Sequence, residues 1–263
     1  MPELPEVEAA RAMAERLLVR RRIAGVAARL DPIVFENAGP RRIVQALRGR
    51  RVEAVRRKGK HFWLELDRRP WLLMHFGMSG WLFSYRDVAQ RPRHWRLELL
   101  ADDGRRLCFS DARRFGRVRL QEDPPGEPPV SELGFDVLEG LPVPAILAGL
   151  LGRRRAPVKA VLLDQSLFAG VGNWIADEAL YQAGIAPHRP ASSLSAAEVA
   201  RLRARLLGVV RRAVAVGADS ERFPRTWLFH RRWDVKQPAD ATEKIRRETI
   251  AGRTAAWVPA RQK

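Results

Sequence analysis

The residues best suited to chemistry stand at the start of the chain, Met1-Pro2-Glu3-Leu4-Pro5-Glu6-Val7-Glu8. Removal of the initiator methionine makes Pro2 a terminal secondary amine. An α-amine titrates near pH ~8, so a fraction is an unprotonated nucleophile at neutral pH. An amine that attacks a carbonyl-like carbon forms a Schiff base. Glu3 and Glu6 place two acids within four residues of that nitrogen. The plainer reading of the same residues is an amphipathic first helix with an exposed terminus.

A nucleophile needs a rigid support. Pro5 suits the first turn of a helix, where its missing N–H costs nothing. Val7, Ala10, Ala14, Leu17 and Leu18 follow at helical spacing, which predicts a helix over 5–20. Strand-like runs follow at 52–56, 61–67, 71–76, 81–85, 95–100, 106–109 and 116–120, punctuated by Gly77, Gly80 and the turn Asp102-Asp103-Gly104. Many short strands with turn signals point to a sandwich or barrel. The Pro/Glu-rich stretch 121–130 reads as an interdomain linker. Beyond it, 142–151, 156–163, 173–182 and 196–216 carry helical spacing, and Ser195 with Glu198 forms a capping-box signal. Gly170-Val171-Gly172 precedes the helix starting at Asn173, a turn that can aim backbone N–H groups at a phosphate. Near the end, 244–250 and 255–258 predict a hairpin with Arg253 at its turn, where a guanidinium can grip a phosphate bidentately.

The 263 residues are 46% hydrophobic, with eight Trp and ten Phe, enough for a packed core in one large or two modest domains. Lys plus Arg total 48 against 30 Asp plus Glu, a formal charge of +18, and arginine supplies nearly all the excess. Such a surface attracts polyanions, although charge alone does not separate DNA, RNA and anionic membranes. The single cysteine, Cys108, lies in a strand-like run and reads as a buried core thiol; one cysteine permits neither an internal disulfide nor a cysteine-based zinc site. No basic segment leads into an apolar run near the N-terminus, and no apolar stretch approaches the ~20 residues of a spanning helix. The expected setting is the cytoplasm, associated with the nucleoid.

These pieces resemble one family, the bacterial formamidopyrimidine-DNA glycosylase / endonuclease VIII enzymes of base-excision repair. The resemblance runs over essentially the whole chain. It rests on Pro2 to Glu8, Lys58-Gly59-Lys60, His75-Phe76-Gly77-Met78-Ser79-Gly80, Asp111-Ala112-Arg113-Arg114-Phe115-Gly116 and the segment from Asp164 to Glu178, all in the family's order. It implies a bifunctional glycosylase/lyase. Pro2 would attack the sugar C1′ of a damaged nucleotide, expel the base, and remove the sugar by β- and δ-elimination. Glu3 matches the family's catalytic acid, Glu6 a second acid, and Lys60 a lysine that contacts phosphate and assists catalysis. His75, Lys159, Asn173 and Arg253 match DNA-binding positions. Met78, Arg113 and Phe115 match the trio that fills the hole left when a nucleotide is extruded. The implied partner is double-stranded DNA with oxidised bases or abasic sites, bound by a monomer without cofactor.

The chain departs from the family at its C-terminus. Zinc-bearing members end in a finger with two cysteine pairs. Here Val258 and Arg261 stand where the second pair should be, and the first pair falls near Ala239 and Thr242. The ending resembles the zincless finger of plant and fungal members, with Trp227, Phe229, Trp233 and Trp257 as candidates for its apolar nucleus and His230 structural. The short stretch 217–225 weighs against strong 8-oxoguanine activity and toward formamidopyrimidines and hydantoins.

The expectation is therefore a multidomain α+β protein. An N-terminal β-sandwich with a flanking helix occupies 1–125, a linker 126–145, a helix-two-turn-helix domain 146–222, and a zincless β-hairpin finger 223–263. The competing function is a lesion-recognising DNA-binding protein without catalysis, which the intact Pro2-Glu3 pair opposes. A general basic architectural or RNA-binding protein would bind intact and damaged duplexes alike.

Overall fold

The computed structural model describes residues 2–233 and 243–263. They form two compact units, one comprising Pro2 and Glu6–Glu132, the other Glu3–Pro5 and Leu133–Lys263.

The first unit is a sandwich of two four-stranded antiparallel sheets with a helix against its core. Helix α1 (Leu4–Leu18) is followed by β1 (Ile23–Ala28), α2 (Pro40–Leu47), β2 (Val52–Lys58), β3 (His61–Leu66), β4 (Trp71–His75), β5 (Trp81–Tyr85), β6 (Trp95–Ala101), β7 (Arg106–Ser110) and β8 (Arg117–Gln121). The sheet orders are β2-β3-β4-β8 and β1-β6-β7-β5. Strand alternation decides what faces where. Phe62, Leu64, Leu72, Met74 and Val118 point into the core with Val7, Ala10 and Ala14 of α1. Trp63 and Leu73 point the other way and are covered by Val130. The Pro/Glu-rich stretch thus folds back onto the sheet, and Gln121 Nε2 donates to the Pro128 carbonyl at 2.7 Å. Strand β1, Ile-Ala-Gly-Val-Ala-Ala, has a composition that does not favour strands; its antiparallel pairing with β6 makes it one.

The second unit opens with a short parallel pair, β9 (Phe135–Asp136) with β10 (Phe168–Ala169), and four helices: α3 (Pro144–Gly152), α4 (Val158–Leu163), α5 (Asn173–Ala183) and α6 (Ala196–Ala215). The capping box at α6 forms in both directions, Glu198 N to Ser195 Oγ at 3.3 Å and Ser195 N to Glu198 Oε2 at 2.8 Å. The Arg189 guanidinium, 2.6 Å from Glu198, holds that carboxyl down at about 2. The hairpin is β11 (Arg246–Ile250) and β12 (Arg253–Trp257), closed by the turn Ala251-Gly252.

The hairpin's apolar nucleus differs from the expected four aromatics. It consists of Tyr181, Leu228, Ile245, Ala256 and Val258. Trp227 and Phe229 belong to the helical core instead, stacked among Trp174 and Phe223. Trp233 is 61% exposed beneath the Arg232 guanidinium, and Trp257 packs edge-on against His188. Aliphatic side chains complete the nucleus around Tyr181 of α5. His230 Nε2 lies 3.3 Å from the Phe223 carbonyl, a structural contact. No helix among the described residues is long and apolar enough to cross a membrane.

Candidate active site

In the first unit, Pro2, Glu6 and Met78 line one open pocket of about 280 Å³ with Ser79, Gly80 and Trp81. Pro2 is buried at its wall and Glu6 half-buried in the first turn of α1. Met78 sits on the turn between β4 and β5, and a fully buried carboxylate, Asp111, holds that turn. Ser79 Oγ donates to Asp111 Oδ1 at 2.5 Å, while the amides of Gly116 and Arg113 donate to the same side chain at 2.7 and 3.1 Å. One side chain therefore fixes both the turn carrying Met78 and the loop carrying Arg113 and Phe115. Gly77 shares this task. A Cβ there would stand 2.2 Å from the Phe115 carbonyl oxygen, and its φ of +57° also demands glycine. Above this base Phe115 stays 38% exposed, with the Arg113 guanidinium 4.7 Å from its ring centroid. Arg114 turns away to pair with Asp31 at 3.0 Å. Burial opposes ionisation of Asp31, yet Arg114 and the amides of Val34 and Ile33 hold its carboxyl below the usual range.

Lys60 occupies the tight turn between β2 and β3, with Lys58 and His61 paired across it. His75 ends β4 opposite His61, and the two rings stack with centroids 4.5 Å apart. The Gly77 amide donates to His75 Nδ1 at 3.1 Å, which places the ring proton on Nε2. Burial, reinforced by Lys60, Arg117 and Arg119, depresses His75 to about 4. Burial and the neighbouring His75 depress His61 to about 3. Both imidazoles are neutral at physiological pH, so His75 offers an N–H rather than a charge.

In the second unit the Glu3 carboxylate caps α5. It accepts from Trp174 N at 2.9 Å and Ile175 N at 3.1 Å. The expectation that these helix-start amides face a phosphate is corrected: the anion they bind is the chain's own Glu3. The glycine before the helix serves the same contact. A Cβ on Gly172 would lie 2.2 Å from Glu3 Cδ. The Leu4 amide donates to the Gly170 carbonyl at 3.1 Å.

Lys159 is also corrected. Expected at a DNA-binding position, its side chain is fully enclosed. Its ammonium donates to Asp177 Oδ1 at 2.6 Å and to the Thr254 carbonyl at 3.0 Å. Burial lowers its pKa, and Asp177 opposes that fall. Arg232 pairs with the other oxygen of Asp177. Asn173 Nδ2 donates to the same Thr254 carbonyl at 3.0 Å, which leaves its second N–H for another acceptor. Arg253, next in chain to Thr254, is exposed at the start of β12. Beside this network lies Glu178, completely buried. It accepts from Gln182 Nε2 at 2.7 Å and Phe229 N at 2.9 Å. Burial pushes its carboxyl up to about 7 against those bonds.

Three positioning residues were missed in the sequence. Asp111 stands at the head of a motif whose Asp-x-Arg spacing favours a side chain bonded to its own backbone two residues on. Asp177 lies one helical turn after Asn173 and so shares its face. Arg232 carries no local signal.

A cysteine zinc site does not fit the residues present. Cys108, the chain's one cysteine, is buried in β7 of the first unit. Val258, at an expected ligand position, is enclosed by the hairpin's apolar nucleus, and Gln262 Oε1 accepts from its amide at 2.7 Å. The other positions considered, Ala239 and Thr242, lie outside the described residues. No group of three or more His, Cys, Asp or Glu among the described residues is arranged to hold a metal ion.

Two family models match the chain. That of the formamidopyrimidine-DNA glycosylase N-terminal domain covers residues 1–118, and that of the formamidopyrimidine-DNA glycosylase H2TH domain covers 133–225. A formamidopyrimidine-DNA glycosylase of Arabidopsis thaliana is 40% identical over 280 residues, spanning 100% of this chain and 71% of the relative. One of Paracoccus denitrificans is 43% identical over 232 residues, spanning 84% of this chain and 81% of the relative. Among crystal structures, a Lactococcus lactis Fpg mutant in complex with Fapy-dG containing DNA matches with a TM-score of 0.85 at 25% identity, covering 100% of both chains. The complex of Lactococcus lactis Fpg with abasic-site DNA shares the fold, with a TM-score of 0.85 at 24% identity over 99% of each chain.

Proposed function

Since the chain belongs to the formamidopyrimidine-DNA glycosylase family, we propose that it is a bifunctional DNA glycosylase and abasic-site lyase that removes oxidised purines through Pro2. The observation that carries this reading is the pocket in which Pro2 stands beside Glu6 and Met78. With Met1 removed, the Pro2 nitrogen bonds to the sugar C1′ of the damaged nucleotide. The C1′–base bond breaks and the base leaves with a proton. Opening of the sugar ring gives the iminium. Its positive charge acidifies the adjacent C2′, so β-elimination and then δ-elimination release the two phosphates. Glu3 serves as the acid for ring opening, Glu6 as a second acid, and Lys60 as a phosphate contact that assists catalysis. Phe115 enters the emptied stack, Met78 fills the space, and Arg113 bonds the orphaned base. His75, Asn173 and Arg253 hold phosphates as N–H donors; the buried Lys159 takes no part in that.

The partner is duplex DNA with oxidised or abasic sites, bound by a monomer. We assign the work to four segments: a catalytic sandwich at 1–125, a linker at 126–145, the helix-two-turn-helix domain at 146–222 and the finger at 223–263. The finger is the zincless kind of plant and fungal members. The lone Cys108, the enclosed Val258 and full-length coverage by the plant relative support this. The short stretch 217–225 supports a preference for formamidopyrimidines and hydantoins over 8-oxoguanine, which an excision panel in matched duplexes ranks.

Borohydride trapping on an abasic duplex tests the mechanism. The protein with a processed N-terminus forms a covalent adduct, Pro2→Gly strongly weakens it, and an N-terminal tag that blocks the amine abolishes it. Equal trapping and cleavage by the tagged protein would overturn the assignment of Pro2.

A further inference from the structure

We infer that Asp177 is a positioning residue which, with Lys159 and Arg232, docks the Arg253 hairpin on α5 and does there what bound metal does in a zinc-bearing finger. The network reaches the hairpin through its main chain. Lys159 Nζ and Asn173 Nδ2 both donate to the Thr254 carbonyl, each at 3.0 Å, and the Ala256 amide donates to Asp177 Oδ2 at 3.3 Å. Thr254 directly follows Arg253, so two donors on one carbonyl fix the backbone from which the arginine projects. The opposite strand is held as well. Arg247 of β11 donates to the Arg232 carbonyl at 3.2 and 3.0 Å, and Arg232 reaches the Asn173 carbonyl at 3.3 Å. Asp177 thus joins α4, α5, the segment at Arg232 and both strands of the hairpin.

The charges make Asp177 the indispensable member. Lys159, Asp177 and Arg232 are all buried. Two cations in such a place need an anion between them, because a buried charge without its partner is strongly unfavourable. Buried ion pairs contribute little net stability compared with apolar packing. Their advantage here is direction: the bonds end on particular main-chain groups, among them the Thr254 carbonyl next to Arg253 and the Ala256 amide on the same strand. A ring of purely apolar contacts would hold the hairpin without fixing its register on the helix.

This inference rests on the metal-free reading of the finger, and the test separates the two. Asp177→Asn, Arg253→Ala and the double variant are made in the full chain. Affinity is measured for a duplex carrying a tetrahydrofuran abasic analogue at matched salt. Each single change is expected to weaken binding by about tenfold or more. The double variant should bind little worse than Arg253→Ala, because Asp177 acts through Arg253. Trapping by Asp177→Asn at saturating enzyme should stay within about threefold of the parent, so the loss falls on KM rather than kcat. Multiplying effects in the double variant, or unchanged affinity in Asp177→Asn, overturn the inference. If thermal melting shows that Asp177→Asn does not fold, Lys159→Met, which keeps the Asp177–Arg232 pair, replaces it in the cycle with the same criteria. Zinc content is measured on the same preparations. One zinc per chain overturns the metal-free reading whatever the cycle gives; a metal-free protein with multiplying effects overturns the docking role alone.

Discussion

Asp111 in the first unit and Asp177 in the second are both buried carboxylates that gather distant pieces of chain, yet they gather different things. Asp111 accepts from a hydroxyl and two backbone amides. Neutral donors suffice because its task is to shape two loops, and the side chains that face DNA in the proposed mechanism project above it. Asp177 accepts from a lysine and an arginine. Its hub therefore absorbs Lys159, a residue whose motif suggested a surface role. A basic residue in a familiar motif is as easily part of the frame as part of the contact surface. Burial and hydrogen-bond partners decide which.

Three experiments test this contrast between an exposed working edge and an enclosed frame. The largest effect is expected at the frame. Gly172→Ala forces a Cβ against the Glu3 carboxyl and disturbs the cap on α5. It should cost about 3 kcal/mol of stability and weaken trapping with it, read by denaturant melts and adduct yield. A fully stable variant would mean that Glu3 is not lodged there.

The next largest concerns Glu178. Its folded carboxyl titrates at about 7, above the ordinary 4.5. Both states carry the proton below about pH 4.5; as pH rises from there, the unfolded chain releases it first. Stability is therefore highest at the acidic end and falls by roughly 3 kcal/mol as pH climbs through about 7. Glu178→Gln should flatten this part of the melting-temperature profile. An unchanged slope would assign the pH dependence to other groups.

The smallest change in stability is expected at the working edge. Phe115→Ala removes an exposed ring and should alter stability by no more than about 0.5 kcal/mol. It should weaken binding to an abasic-analogue duplex by about tenfold. A large stability loss would place Phe115 in the frame and erase the distinction.

The sandwich was legible where side chains alternate, as in Phe62 and Leu64 against Trp63, because burial of one strand face leaves a period of two. The strand Ile23–Ala28 was not, since its glycine and alanines take their conformation from a partner strand far along the sequence. The start of α5 was legible from Gly172, but the occupant of its amides was not, as it comes from residue 3. The same limit applies to Lys159. Motif order assigned it a position, and only tertiary structure brings Asp177 and the Thr254 carbonyl to its ammonium. Pro2, Glu6 and Met78, which the sequence singled out, line one pocket, although nothing local in the sequence sets Met78 beside the first turn of α1.

Strand β12 is held through the Thr254 carbonyl and the Ala256 amide, groups that every residue type shares apart from proline's missing N–H. Sequence drift on the outward face of the hairpin is therefore nearly invisible to its mounting. Thr254 can exchange its side chain freely, whereas position 256 must keep an N–H and a small body. The loop around Arg253 is in this sense an interchangeable tool head on a fixed socket. The recognition proposed for it can be redesigned by library selection while residues 159, 177, 232 and 247 stay untouched.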